Sequence, residues 1–436
     1  MKKKYSWLLL VVTILFTIGT ASCDINNGDD PQYPGSQDTV QVDRSNMFGM
    51  QEQPTVCANI TAGSDKGVTP DLVANLCGAL GVKSFRLGMN IPWVLEYNSA
   101  GELVFRQPNI QNFKDYAALL RQHGVRNIIL SNTMYMYPYG ASRSWWRAVP
   151  EPGTELYIKF MEQIEKSYEM IAGAFPDITY FEVGNEMNAP NGINLCKEGF
   201  IGGATAEQNA PYIFTTAEQA LITADICYYA NRGVKSVNPN GKIVAPAPYM
   251  IDSLARNYLT SMYDQIQSGS LPTSGLNQTT QIRKIAASTN PDDYFEYLNW
   301  HPYTTGGAYT LEWVRQNEAL YQVAVDHGDA GRKIVMTEFG YFDSYLERRE
   351  ILIGNACVPA IEVLADRLKT LEAVFLFRMF NWTTPPAGTA TAEQTYGLFD
   401  SPLQTTAVRP KPIALSLFFH YNGVSANPDP LYKFMK

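Results

Sequence analysis

Two glutamates stand at the ends of apolar stretches that have the length and composition of buried strands. Glu186 follows "ITYFEVGN", directly after Asn185, and Glu338 lies near the end of "KIVMTEFG". A pair of carboxyl groups can cleave an acetal, because one protonates the leaving oxygen while the other attacks the anomeric carbon or activates water. One carboxyl must then stay protonated near neutral pH, which burial beside a second negative charge favours.

Further polar and aromatic side chains end other stretches of the same kind, namely Arg86, His301, Tyr303 and Trp382. Each also has a structural interpretation. The acids and the arginine could form ordinary salt bridges, while the histidine and the tryptophan could be satisfied core residues. The sequential order of Asn-Glu, a second Glu and a Trp on three separate strands favours a functional cluster.

Strand-like stretches alternate with helical ones along the chain. The eight predicted strands are Thr55–Ile60, Ser84–Met89, Asn127–Asn132, Ile178–Asn185, Lys242–Ala247, Tyr297–Tyr303, Lys333–Gly340 and Ala373–Trp382. Alternation of this kind predicts parallel strands joined by helices, and eight units predict a single (β/α)8 TIM barrel of the α/β class. An open doubly wound sheet is the alternative, although "ANITAGSDKG" lacks the glycine pattern of its phosphate-binding turn.

Two charged residues are expected inside the barrel below the active end. Glu182 and Arg378 each lie four residues before a proposed mouth residue, so strand alternation points both of them inward. Neither charge is tolerated alone in that interior. We therefore predict that they pair beneath the site.

The motifs "GNE" on strand four and "TEFG" on strand seven resemble the clan of retaining glycoside hydrolases built on (β/α)8 barrels. "FEVGNE" is similar to glycoside hydrolase family 39, whereas "VMTEFG" and "HPY" look more like family 5, so the resemblance is to the clan. It spans Met47 to the C-terminus as architecture. In place of the histidine that family 5 members often carry near the end of strand three, this chain has Asn132, Tyr135 and Tyr137.

The resemblance implies a role for each matched residue. Glu186 would be the acid/base and Glu338 the nucleophile, with Arg86 and Tyr303 contacting Glu338. Asn185 would bind the sugar 2-hydroxyl, His301 would position the substrate, and Trp382 would form the floor under the sugar. No cofactor is implied, and the four scattered histidines show no metal-ligand spacing, so no metal site is predicted.

The N-terminus resembles a bacterial lipoprotein signal, with Lys2–Lys4 before an apolar run and small residues before Cys23. This predicts a signal peptide over residues 1–22, a flexible tether over 23–46 and a catalytic domain over 47–436. An ordinary signal peptide that contains a cysteine is the alternative. Lipidation of Cys23 would place the chain in the bacterial cell envelope, anchored to a membrane.

Charge and cysteine content restrict the partners. The chain has 436 residues with a net charge of −8, which excludes the clustered basic surface that binds nucleic acid and agrees better with a neutral carbohydrate. Beyond Cys23, five cysteines without a CxxC motif predict no disulfide framework.

The sequence therefore predicts a retaining glycoside hydrolase that acts on a poly- or oligosaccharide. A catalytically inactive glycan-binding surface lipoprotein and a transglycosylase are the other hypotheses. The specific sugar and linkage, and endo versus exo action, depend on loop geometry and stay open.

Overall fold

A computed structural model describes residues 46–52, 68–143, 145, 147–189, 195–201, 204–268, 285–304, 309–343, 346–381, 395–400 and 408–433. The apolar, β-branched stretches form eight parallel strands that close into a barrel in sequential order. They are β1 Phe48–Gln51, β2 Ser84–Gly88, β3 Asn127–Asn132, β4 Tyr180–Val183, β5 Lys242–Val244, β6 Tyr297–Asn299, β7 Lys333–Phe339 and β8 Leu371–Leu376. The predicted (β/α)8 TIM barrel is confirmed.

Eight long helices surround the strands: α1 Pro70–Leu80, α2 Asn109–Gln122, α3 Glu155–Ala174, α4 Thr216–Val237, α5 Ser253–Ser268, α6 Leu311–Asp326, α7 Glu347–Arg367 and α8 Pro412–Asn422. Their ends follow local capping rules. The Thr69 hydroxyl accepts a hydrogen bond from the Leu72 amide at the start of α1, and Gly81 ends that helix with φ of 83°. After β2, strands Leu95–Tyr97 and Leu103–Phe105 form a small antiparallel hairpin.

Two strand predictions were wrong at the barrel seam. The first strand is Phe48–Gln51, which pairs with both β2 and β8; the predicted strand Thr55–Ile60 lies outside the described residues. The last strand ends at Leu376 and not at Trp382. The apolar run continues past the strand because Met379 and Phe380 are buried in the surrounding packing, so hydrophobicity alone did not mark its end.

The barrel interior is apolar at its base and polar above. A small cluster that includes Ile129, Val244 and Phe375 fills the lower interior. Alternation along β4 and β6 then brings Glu182 and Asn299 inward above Tyr180 and Tyr297. The main hydrophobic core lies between the strands and the helix ring, so the polar layer is enclosed from the side and open only toward the C-terminal ends of the strands.

The predicted pair of Glu182 with Arg378 is wrong. Glu182 binds Arg86, and the Arg378 Nε donates instead to Glu52 Oε2 at 3.1 Å. The prediction counted four residues back from Trp382 as a strand-end residue. Because β8 ends at Leu376, Arg378 lies beyond the strand and that count does not place it inside the barrel.

Four cysteines, Cys77, Cys196, Cys227 and Cys357, are buried as free thiols in the described part of the chain. This agrees with the absence of a predicted disulfide framework, while Cys23 and Cys57 fall outside that part. Among the described residues, no helix combines the length and the apolar character needed to span a bilayer.

Helices α3 and α4 pack along each other at Gly233. A Cβ at this position would lie 3.0 Å from the carbonyl carbon of Glu165 and 3.0 Å from the Glu169 amide nitrogen, both on the α3 backbone. We expect Gly233→Ala to destabilise the protein by about 1–3 kcal/mol, because the helices must separate. Chemical denaturation measures the change.

Gly173 on α3 is the matched control, since a Cβ there would meet only Val237 Cγ2 at 4.0 Å. Gly173→Ala should be neutral or stabilising by up to about 1 kcal/mol through helix propensity. Equal effects of the two substitutions would contradict the close packing of α3 on α4 at Gly233.

Candidate active site

An irregularity in β7 brings two consecutive side chains, Thr337 and Glu338, into contact with the Arg86–Glu182 pair. Met336 pairs with Val374, but the next paired residues are Phe339 and Leu376, so β7 advances three residues while β8 advances two. The extra residue is a β-bulge, which redirects side chains that strict alternation would send to opposite faces. Thr337 contacts Glu182 inside the barrel, and Glu338 contacts Arg86 from β2.

Arg86 uses all five of its N–H groups beneath the mouth. Its Nε and Nη2 bind the two oxygens of Glu182 at 2.6 and 2.9 Å. Its Nη1 donates to Gln51 Oε1 at 2.8 Å and to Glu338 Oε2 at 3.0 Å, and Nη2 also donates to Asn185 Oδ1 at 2.6 Å. The planar guanidinium therefore fixes four side chains from three other strands and their ends.

The charges of this group support one another. Burial lowers the pKa of Arg86, but Glu182 and Glu338 outweigh that effect and the net direction is upward. Burial raises the pKa of Glu182, and the ion pair with Arg86 overrides it, so the net direction is downward. The two groups therefore stabilise each other's charged forms, and Glu338 accepts a hydrogen bond from this cation.

Glu186 leaves β4 through a left-handed turn. Gly184 has φ of 88°, and a Cβ on it would lie 2.6 Å from the Tyr135 hydroxyl oxygen, so only glycine fits there. Glu186 itself has φ of 50°, which is uncommon for a residue with a side chain. Its amide donates to the Ala247 carbonyl at 2.8 Å, and this bond holds the strained residue in place.

The Glu186 carboxyl contacts His301. Glu186 Oε1 lies 2.9 Å from His301 Nδ1, and His301 Nε2 lies 3.2 Å from Thr337 Oγ1. His301 is fully buried, whereas the resemblance implied that it positions the substrate. Its two ring nitrogens contact Glu186 and Thr337 within the buried polar layer.

The two glutamates converge. One oxygen from each of Glu186 and Glu338, together with a ring nitrogen of His301, lie within 4.8 Å of one another. The spacing of these three groups would also suit the coordination of a divalent cation. Arg86, however, already places a positive charge 3.0 Å from Glu338 Oε2, so the donor set is better matched to a pair of acids than to an ion.

Aromatic side chains line the side of the mouth next to Glu338. The Tyr303 hydroxyl donates to Glu338 Oε1 at 3.2 Å, and burial together with the Glu338 charge keeps the Tyr303 pKa well above its usual value. The Tyr396 ring lies 6.0 Å from the Tyr303 ring and 5.8 Å from the Phe377 ring. Trp382, predicted as the floor of the site, lies outside the described residues.

Several site residues were missed in the sequence. Gln51, Asn299 and Arg147 lie in no motif, and Gln51 is on a strand that was predicted elsewhere. Thr337 lies within the quoted TEFG motif, next to Glu338, but was given no role. Arg147 is buried, which lowers its pKa to about 10, and the Glu186 charge acts in the opposite direction. Inward alternation from Tyr297 was the signal that could have found Asn299.

Comparison with solved structures gives neighbours at low sequence identity. A family 39 glycoside hydrolase from the gut symbiont Bacteroides cellulosilyticus WH2 aligns with a TM-score of 0.53 and 13% identity, covering 88% of this chain and 65% of that one. A GH5 xyloglucan-specific endo-β-1,4-glucanase from a metagenomic library gives 0.53 and 13%, with coverages of 87% and 97%. A β-glucosidase from Thermotoga maritima gives 0.53 and 11%, with coverages of 88% and 98%.

This chain thus spans less than two thirds of the family 39 structure, and nearly all of the other two. No protein-family model matches the sequence, and no curated protein sequence matches it. At these identities the likeness establishes the shared barrel fold, and the chemistry must be argued from the site itself.

Proposed function

We propose that this protein is a retaining glycoside hydrolase that acts on a poly- or oligosaccharide. One observation carries the proposal: oxygens of Glu186 and Glu338 lie within 4.8 Å of each other at the C-terminal end of the barrel. Carboxyl groups about 5–5.5 Å apart leave no room for a water between the second carboxylate and the anomeric carbon, so that carboxylate attacks the carbon directly. The barrel neighbours that are named glycoside hydrolases agree with this assignment.

Glu338 is the proposed nucleophile. It accepts hydrogen bonds from Arg86 Nη1 and the Tyr303 hydroxyl, and its side chain is 17% exposed. Because Arg86 is itself held by Glu182, the carboxylate is presented in one orientation. Asn185, beside Arg86 Nη2, is the proposed ligand of the sugar 2-hydroxyl.

Glu186 is the proposed acid/base. It is almost completely buried, one of its oxygens lies within 4.8 Å of a Glu338 oxygen, and its Oε1 lies 2.9 Å from His301 Nδ1. In the first step a Glu338 oxygen bonds to the anomeric carbon, the bond to the leaving oxygen breaks, and Glu186 gives that oxygen its proton. In the second step water attacks the same carbon, gives a proton to Glu186 and releases Glu338.

Lipidation of Cys23 and attachment to the bacterial cell envelope form the second part of the proposal. The basic, apolar and small-residue order before Cys23 supports it. A lipid anchor would hold the barrel at a membrane surface, in contact with extracytoplasmic glycans.

Replacing Glu338 with Gln should reduce turnover by at least about 10³-fold, because a neutral amide neither attacks the anomeric carbon nor pairs with Arg86. A polysaccharide panel first identifies the substrate, and reducing-sugar release then measures the loss. Glu347→Gln, at the exposed start of α7, is the control and should retain full activity. Undiminished turnover by Glu338→Gln contradicts the assignment, and glycan binding by the native protein without any release supports the inactive alternative.

Azide separates the roles of the two glutamates. In Glu186→Ala, azide should attack the glycosyl-enzyme intermediate in place of water and yield a glycosyl azide with the configuration of the substrate. In Glu338→Ala, azide should fill the space of the nucleophile and yield the opposite anomer. Proton NMR of the two products checks this, and identical anomers from both variants would remove the double displacement.

Cys23→Ala should move the protein from the membrane fraction to the soluble fraction when the full chain is expressed in a bacterial host, because no acyl chain can then be attached. Incorporation of radiolabelled palmitate measures the same change directly. A native protein that takes up no label and fractionates as soluble protein would favour the ordinary signal peptide.

A further inference from the structure

The two carboxyl groups of the site are joined by a continuous set of buried contacts beneath the mouth. From Glu186 it passes to His301, Thr337, Glu182, Arg86 and Glu338, and every link lies between 2.6 and 3.2 Å. Each link has a donor and an acceptor, so the hydrogen positions in one link restrict those in the next. The position of each hydrogen along this series of contacts can therefore be deduced in turn.

The Thr337 hydroxyl proton is the first to be fixed. Its possible recipients include Glu182 Oε1 at 2.6 Å and Asn299 Oδ1 at 3.1 Å. Asn299 Oδ1 already accepts from the Thr337 backbone amide, while Glu182 is an ionised acceptor at the shorter distance. The hydroxyl therefore donates to Glu182.

The His301 tautomer follows. Since the single Thr337 proton is committed to Glu182, Thr337 Oγ1 can only accept from the imidazole, and His301 Nε2 must carry a hydrogen. Oγ1 accepts a second hydrogen from Asn299 Nδ2 at 2.8 Å, which fills its capacity. In the neutral ring, His301 Nδ1 is then a bare acceptor that faces Glu186 Oε1 at 2.9 Å.

We propose that Thr337 is a positioning residue that fixes His301 in the Nε2–H tautomer and thereby retains the catalytic proton at Glu186. The contact at 2.9 Å is favourable only with a proton between Nδ1 and Oε1, whether it is written as carboxylic acid with imidazole or as carboxylate with imidazolium. Without that proton, a lone pair faces a carboxylate. The pair therefore holds its proton in the resting enzyme and, once the leaving group has taken it, regains one readily from water.

Four other groups face the pair: Glu338, Glu182, Arg147 and Tyr303. The Glu182 and Glu338 carboxylates are both bound by Arg86, which offsets their negative charge, and Arg147 lies on the Glu186 side. Tyr303 is neutral at the working pH because burial keeps its pKa high. The anions and cations around the pair are thus equal in number, so proton retention rests on the tautomer and not on the surrounding charge.

Thr337→Val tests the proposal, with Thr337→Ser as the matched control that keeps the hydroxyl. Valine leaves the Nε2–H without an acceptor, so His301 should change to the Nδ1–H tautomer and donate to an ionised Glu186. The chain has only four histidines, and a His301→Asn variant assigns the signal. Nitrogen-15 NMR of histidine-labelled full chain should show Nε2–H in the native protein and in Thr337→Ser, and Nδ1–H in Thr337→Val.

The kinetic consequence is a shift of the alkaline limb of the pH profile of kcat/KM. Thr337→Val should move this limb down by about one pH unit, the equivalent of one ordinary hydrogen bond, whereas Thr337→Ser should leave it in place. The loss should be larger for a phenyl glycoside than for a dinitrophenyl glycoside, whose leaving group needs no proton. A purely structural role for Thr337 would lower both substrates equally.

The inference is overturned if NMR of the native protein shows His301 with a hydrogen on Nδ1 and none on Nε2. It is also overturned if Thr337→Val folds and the alkaline limb of its kcat/KM profile does not move. If the valine variant does not fold, the native spectrum and the serine variant still decide the tautomer. The kinetic experiments depend on the proposed function, whereas the assignment of the His301 tautomer does not. A protein with the Nε2–H tautomer and no hydrolysis of any glycoside would refute the activity and leave the tautomer assignment intact.

Discussion

The buried ion pair between Arg86 and Glu182 is the contact on which the arrangement of the mouth depends. A guanidinium enclosed inside a barrel is tolerated only when its charge and its five donors are met, and Glu182 meets the charge with two of its contacts. The three remaining donors then reach Gln51, Asn185 and Glu338. Desolvation thus makes the site stiff, since moving any one acceptor would leave part of the cation unsatisfied.

Local departures from regular strand geometry bring the two glutamates together above this support. A bulge in β7 adds Glu338 to the mouth while Thr337 stays in the layer below, and a left-handed turn after β4 brings Glu186 back over the opening. Regular alternation would have provided only one residue of each consecutive pair. The barrel supplies the rigid frame, and these two irregularities bring the two carboxyl groups close together.

Sequence patterns predicted the barrel and most of the strands, because buried parallel strands require short apolar runs that stand out between amphipathic helices. They failed where tertiary packing extends an apolar run, as at Phe380, and where a strand is as short as Phe48–Gln51. They also assigned Glu182 to the wrong arginine. Which side chains pair inside a barrel depends on where each strand ends. The end of β8 was predicted a few residues too late, and this error assigned Glu182 to Arg378 and not to Arg86.

What the sequence determined by itself was the fold class and the placement of acids at strand ends, because periodicity and strand termini are local properties of the chain. Tertiary structure alone decided that Glu186 and Glu338 converge, that His301 is buried against Glu186, and that Thr337 links it to Glu182. Those relations join residues far apart along the chain. They are fixed by barrel closure, by a bulge and by the need to satisfy buried charges, none of which can be read from neighbouring residues.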